Sequence, residues 1–168
     1  MKKVFLISIF CIFISFTSVS QEASGNVDFV IPTYSGADPS LGVGLLYLYD
    51  LDNGINIGGY TAYRQMLNFK GYFSNIPIMF IARYYINGGS SGLYPQIGLG
   101  ADYSIAVIKY KWWENLVYKV SSSAISFAYS VGLGGKLKNN LDLSGHFEGR
   151  VYKNNHRGYV VLRVGYWF

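Results

Sequence analysis

Tyr159-Val160-Val161-Leu162-Arg163-Val164-Gly165-Tyr166-Trp167-Phe168 closes the chain and decides how the rest is read. A β-strand directs successive side chains to opposite faces. On one face lie Val160, Leu162, Val164, Tyr166 and Phe168, wholly apolar and ending in aromatics. On the other lie Tyr159, Val161, Arg163, Gly165 and Trp167, which include a charge and a glycine. A strand with one wholly apolar face and one mixed face needs a partner sheet that repeats the pattern.

The 168 residues suffice for one domain. Hydrophobic residues make up 51% and charged residues 14%, yet beyond the N-terminus no run resembles a membrane helix. Apolar residues regularly diluted by polar ones point to alternating strands. The first residues read as a secretory signal: Lys2 and Lys3 precede an apolar core from Val4 to Phe16, and Ser18-Val19-Ser20 supplies small residues for cleavage. The expectation is a signal peptide over 1–20 and a barrel domain over 21–168. Cys11 lies inside the apolar core without the surroundings of a lipidation motif, so the mature chain has no cysteine. Loss of the two lysines lowers the net charge from +5 to +3, too mild to suggest nucleic acid.

Alternation recurs throughout. Val27, Phe29 and Ile31 share a parity, as do Leu41, Val43, Leu45, Tyr47 and Tyr49. Asn53-Gly54 is the strongest hairpin signal. A third strand is expected over Ile55–Arg64, a fourth over Tyr72–Ile86, and a fifth from Leu93 to Ile108. Lys109–Lys119 is expected to be the longest loop. The sixth strand carries Ile125 to Leu133 and the seventh Leu141 to Val151. The fold class is therefore all-β: an eight-stranded antiparallel up-and-down transmembrane barrel, with short turns after strands two, four, six and seven and longer loops after one, three and five.

The apolar parity is expected to face lipid. A continuous apolar band around the barrel would be an aggregation hazard in water, and Tyr47, Tyr49, Tyr84 and Tyr166 at one end and Tyr63, Tyr72, Trp112, Trp113 and Tyr118 at the other would form interfacial girdles. The mixed parity then fills the lumen with an ion-pair network of Asp28, Arg64, Arg83, Asp102, Lys136, Asp142, His146, Glu148, Arg150 and Arg163, because buried charges must be paired. A last hairpin centred between Asn155 and His156 would set Glu148 opposite Arg163. A turn centred on Asn139 would set Lys136 opposite Asp142. Strand eight is expected to close on strand one near Val27–Ile31.

Three stretches carry a family resemblance. Ile76-Pro77-Ile78-Met79-Phe80-Ile81-Ala82-Arg83-Tyr84-Tyr85 followed by Leu93-Tyr94-Pro95-Gln96-Ile97-Gly98-Leu99-Gly100-Ala101, and Phe127–Leu137 with Val131-Gly132-Leu133-Gly134-Gly135, resemble hairpins of small outer-membrane β-barrel domain proteins common in Bacteroidetes-type bacteria. The plan is similar to OmpA-type and OmpX-type barrels, and the terminal strand resembles their closing strand. The resemblance implies that Tyr166 and Phe168 form the signal read by the barrel-assembly machinery, that the chain resides in the outer membrane of a Gram-negative bacterium, and that its surroundings are outer-membrane lipid and lipopolysaccharide. It implies no activity.

A non-enzymatic surface barrel is the expected function, as a monomer, without cofactor, metal or nucleic acid. Lys109, Lys111, Trp112, Trp113 and Lys119 form the candidate surface for a partner or for lipopolysaccharide phosphates. The alternative of a lipid A-modifying enzyme has one candidate grouping, Ser144 with His146 and Glu148. Their parity points them into the lumen, away from a lipid substrate. A small channel is the other alternative, and a lumen filled by side chains opposes it.

Overall fold

The computed structural model describes residues 21–51, 53–67, 72–89, 91–113, 116–153 and 155–168, with side chains of 108–121 outside the description. The signal segment expected at 1–20 lies outside the described residues.

Eight strands form a closed antiparallel barrel in sequence order: β1 Gln21–Pro32, β2 Ser40–Asp50, β3 Ile55–Met66, β4 Tyr72–Tyr84, β5 Gly92–Trp113, β6 Leu116–Lys136, β7 Leu141–Tyr152 and β8 Asn155–Trp167. Closure is made where expected: β8 pairs with β1 so that Val164 faces Val27, Leu162 faces Phe29 and Val160 faces Ile31. The Phe168 amide adds a further bond to the Ala23 carbonyl at 3.0 Å. No edge is left between the first and last strands, which is how a barrel satisfies its backbone groups.

The turns explain themselves locally. Asn53 and Gly54 both take positive φ, 54° and 80°, the left-handed backbone that Asn and Gly adopt at least cost, and the chain reverses there, with the Leu51 amide bonded to the Ile55 carbonyl at 2.8 Å. Pro77, which has no amide hydrogen to donate, lies in a gap of the β3–β4 ladder between the Thr61–Ile78 and Arg64–Asn75 pairs.

Four expectations about the strands need correction. Lys109–Lys119 is not the longest loop: β5 runs to Trp113 and β6 starts at Leu116, and the ladder continues through Lys109 opposite Lys119 with a bulge at Lys111 to Trp113. Val, Ile, Tyr and Trp on either side of the link are strong strand formers. The surface residues Lys109, Lys111, Trp112, Trp113 and Lys119 therefore lie on a long hairpin, and their side chains are outside the described residues. The connection after β4, over 85–91, is as long as the one after β1, over 33–39, so turn length does not alternate as expected. β1 begins at Gln21, well before the alternation of Val27, because Gln21–Gly25 pairs with Tyr49–Leu45 of β2. The last hairpin is centred at 153–154, with Tyr152 opposite Asn155, and Lys153 takes φ 51°. Glu148 consequently faces Tyr159, and Arg163 faces Ser144. The turn at Asn139 does set Lys136 opposite Asp142.

The two parities separate by environment. Outward residues such as Val43, Leu45, Ile78, Ile125 and Leu133 are each more than 60% exposed. The inward parity is buried, and it is not only polar. Leu46, Leu48, Tyr60, Ala62, Met79, Ile81, Ala128 and Trp167 form an apolar cluster inside the barrel, from its middle to the end where β1 begins and β8 finishes. A second inward group, Val30, Tyr159 and Val161, packs with Tyr34 near the opposite end.

Glycine at position 42 is required by close approach. A Cβ there would meet the Arg64 Cγ at 2.5 Å and the Tyr63 carbonyl oxygen at 2.9 Å. Gly42→Val is expected to lower unfolding free energy by about 1–3 kcal/mol through overpacking, read by urea titration in phospholipid vesicles. Gly59→Ala has open space around its Cβ and is expected not to lower it.

Candidate lumen network and its mouths

Register places the central residues of the lumen. On adjacent strands, Arg163, Asp28, Gly42 and Arg64 lie side by side. Asp28 and Arg64 are separated by the β2 strand, about 9–10 Å of backbone. An arginine side chain spans that distance only if the intervening residue has no side chain, and Gly42 supplies the space. Arg64 then contacts Asp28 through Nε at 2.8 Å and reaches Glu148 with both terminal nitrogens at 2.5 and 2.8 Å. The Asp28 carboxylate also accepts from Arg163 Nε at 2.8 Å and from the Tyr60 hydroxyl. The Arg163 guanidinium lies 3.6 Å from the centre of the Tyr60 ring, over its face.

A second cluster lies toward the end where β1 begins and β8 finishes. Asp142 accepts from Arg83 at 2.9 Å, from the Tyr94 hydroxyl at 2.5 Å and from the Trp167 indole at 3.1 Å. Arg83 lies against the Tyr94 and Trp167 rings and donates to Gln96. Lys136 bonds Glu22 at 2.6 Å and lies 4.8 Å from the Trp167 ring centre. Lys136 therefore faces Asp142 in register but takes its carboxylate from β1.

A third cluster lies toward the opposite mouth. Asp102 accepts from Asn75 at 2.6 Å and Ser104 at 2.7 Å, and Arg150 approaches it at 3.5 Å. Arg150 rests on the Tyr159 ring at 4.2 Å. Across the three clusters the cations Arg64, Arg83, Lys136, Arg150 and Arg163 face the carboxylates Glu22, Asp28, Asp102, Asp142 and Glu148.

Nine of the ten expected network residues join it. His146 does not: it is buried, and neither ring nitrogen has a partner among the described residues. Its neighbour across the β6–β7 ladder is Gly132, which offers no side chain. The expected Glu148–Arg163 pair is replaced by Glu148–Arg64 and Arg163–Asp28, because the last hairpin turns two residues earlier than expected. The Ser144, His146 and Glu148 grouping is not assembled. The Ser144 hydroxyl has no partner among the described residues, and Glu148 is held by Arg64. Sequence reading missed Glu22, Tyr60, Asn75, Tyr94, Gln96 and Trp167 as participants. Tyr60, Tyr94 and Trp167 were legible by parity, since each falls on the lumen face of its strand.

The outer surface carries aromatic residues near both ends. Tyr47 and Tyr49 stack edge to face with centroids 5.1 Å apart, and Tyr166 and Phe168 do so at 5.9 Å. Toward the other end the Tyr63 and Tyr72 hydroxyls are hydrogen-bonded and Tyr103 is exposed. The side chains of Trp112, Trp113 and Tyr118 lie outside the described residues. Phe168 is 82% exposed.

No protein-family model matches the sequence, and no curated protein matches it. Solved structures do match in shape. The N-terminal β-barrel domain of Pseudomonas aeruginosa OprF is similar over 90% of this chain and 100% of its own, with a TM-score of 0.63 and 12% identity. Ail, the attachment invasion locus protein of Yersinia pestis, is similar over 89% of this chain and 97% of its own, with a TM-score of 0.63 and 20% identity. Neisserial surface protein A gives a TM-score of 0.58 at 14% identity over 89% and 97%.

Replacing Arg64 by Met is expected to destabilise the barrel by about 3–5 kcal/mol, because it leaves Glu148 and Asp28 charged and buried without their shared cation. The same urea titration on Arg64→Met, Glu148→Gln and the double variant is expected to show that the double variant loses less than the sum of the single ones. At identities this low the likeness reaches the backbone alone, and what it establishes is that this chain has the closed eight-stranded fold of the outer-membrane barrels.

Proposed function

We propose that the protein is an integral outer-membrane barrel, a monomer, that serves as a non-enzymatic component of the cell surface with a side-chain-filled lumen. The observation that carries this reading is the inversion of its faces. Exposed Val, Leu, Ile and Phe ring the exterior, while Arg64, Arg83 and Arg163 are paired with Asp28, Asp142 and Glu148 inside. In water such an exterior would associate; in lipid it is the favourable one. The likeness to Ail, whose structure was also determined in a phospholipid bilayer nanodisc, supports the same reading. So does the hairpin resemblance to small barrels of Bacteroidetes-type bacteria.

In this reading residues 1–20 direct export, Tyr166 and Phe168 present the strand end to the barrel-assembly machinery, and the end with turns 51–54 and 137–140 lies in the periplasm. The β5–β6 hairpin stands at the outer end, where Lys109, Lys111, Trp112, Trp113 and Lys119 contact a partner or lipopolysaccharide. Two features favour a surface protein over a channel or an enzyme. The lumen is occupied from its middle to the periplasmic end by Leu46, Leu48, Met79, Ile81 and Trp167, and Ser144, His146 and Glu148 are not joined by hydrogen bonds.

Depth-dependent cost tests the reading. Ile78→Arg, outward and midway along its strand, is expected to cost about 2–4 kcal/mol in vesicles, and Leu93→Arg near the turn end about 0–1 kcal/mol. Equal costs, or the reverse order, would remove its support. Planar bilayers holding the wild-type protein are expected to show no steady open state.

A further inference from the structure

The lumen is not filled uniformly. Toward the outer mouth it widens into a cavity of about 240 Å³ bordered by β4, β5, β6, β7 and β8. That is below the range of drug-sized ligand sites and suits a small molecule. The chemistry of its wall is one-sided. Ser122 and Tyr159 supply hydroxyls, the Ser104 and Ser126 hydroxyls donate to Asp102, Arg150 and Arg157 supply guanidinium groups, and among the described residues no carboxylate lines it. Asp102 lies beyond the wall, where Asn75 and Ser104 already donate to it.

Arg150 is the decisive residue. It is only 6% exposed, so its charge is held out of bulk water. Its one carboxylate contact is through Nε at 3.5 Å, longer than a good charge-assisted bond. Its Nη2 is buried and has no acceptor among the described residues. The Tyr159 ring beneath it fixes the guanidinium plane. Arg83 and Arg163 also leave one buried terminal nitrogen without a partner among the described residues, but Arg64, Arg83 and Arg163 each have a carboxylate within 3 Å, and Arg150 does not. A buried, positioned guanidinium with a free donor, a second and exposed arginine directly opposite it in the β7–β8 ladder and hydroxyls beside it make a receptor for negative charge rather than a packing element.

We infer that the outer mouth of the lumen binds the oxyanion of a small soluble ligand, a phosphate, sulfate or carboxylate group on a sugar-sized molecule, with Arg150 as the deep contact and Arg157 as the rim contact. Apart from Ser123 the wall is built from inward-parity residues, so a lipid headgroup on the outer surface of the barrel does not reach Arg150. The site depends on the barrel geometry and not on the surface role proposed above.

NMR on the refolded full chain in detergent micelles tests this, with the side-chain Nε–Hε signals of arginine and the amide of Ser126 followed at constant ionic strength. Inorganic phosphate and sulfate are expected to shift the Arg150 and Ser126 signals saturably, glucose 6-phosphate to do so at lower concentration, and sodium chloride not at all. Arg150→Gln is expected to weaken phosphate binding about tenfold or more, the worth of one charge-assisted bond. Should that variant fail to fold, Arg157→Gln, at an exposed rim position, is expected to weaken binding while leaving the folded spectrum unchanged. Shifts that chloride reproduces, or that survive both substitutions, would overturn the assignment. An equal response to dihexanoyl phosphatidic acid would also overturn it, by assigning the site to a lipid headgroup.

Discussion

Two-residue periodicity in a closed sheet is the constraint on which everything else depends. Each strand must send every second side chain into an interior just wide enough to be filled, and closure through β1 and β8 leaves no edge on which a misplaced side chain could escape. Once Val160, Leu162, Val164 and Tyr166 face outward, Tyr159, Val161, Arg163 and Trp167 have no other place than the lumen. A shift of one residue in any strand would exchange the two sets.

Buried charge inside this small space is tolerated because Arg64, Arg83, Lys136 and Arg163 each find a carboxylate on another strand. Arg64 shows how narrow the tolerance is. It joins β1 to β7 across the lumen only because Gly42 leaves the intervening strand bare, and its two carboxylates cannot both stay ionised and dry without it. Toward the end where β1 begins and β8 finishes the same space is closed by leucine, isoleucine, methionine and tryptophan. Toward the other mouth it becomes hollow and carries Arg150 and Arg157. The interior thus changes from a plug to a vestibule along the barrel axis.

Much of this was legible in the sequence because alternation is a local property. The eight strands, the outward set and the lumen address of nine charged residues follow from reading parity, and the Asn53-Gly54 turn from its residue types. What was not legible is non-local. Partner choice in the lumen depends on which strands lie across from one another and on how far a side chain reaches, so Lys136 faces Asp142 in register yet bonds Glu22. The last hairpin was misplaced because Lys153 to Gly158 holds several polar residues able to turn, and the left-handed φ of Lys153 has no sequence signature. Lys109–Lys119 pairs largely as strand rather than forming a loop, because the valines, tyrosines and tryptophans among its lysines favour the extended backbone. The apolar plug was overlooked because Leu45-Leu46-Tyr47-Leu48-Tyr49 is apolar on both parities, a break in alternation that marks a strand buried on one face and lipid-exposed on the other.

The orientation of the two faces is tested most directly by scanning a single nitroxide label along β8, from Tyr159 to Tyr166, in phospholipid vesicles and measuring collision with dissolved oxygen. Lipid-facing labels meet oxygen readily, and enclosed ones do not. The predicted result is a two-residue oscillation with maxima at positions 160, 162, 164 and 166 and minima at 159, 161, 163 and 165. An oscillation of opposite phase would place the charged parity against lipid, and a profile without oscillation would mean that β8 is not a strand of a membrane barrel; either contradicts the inverted barrel.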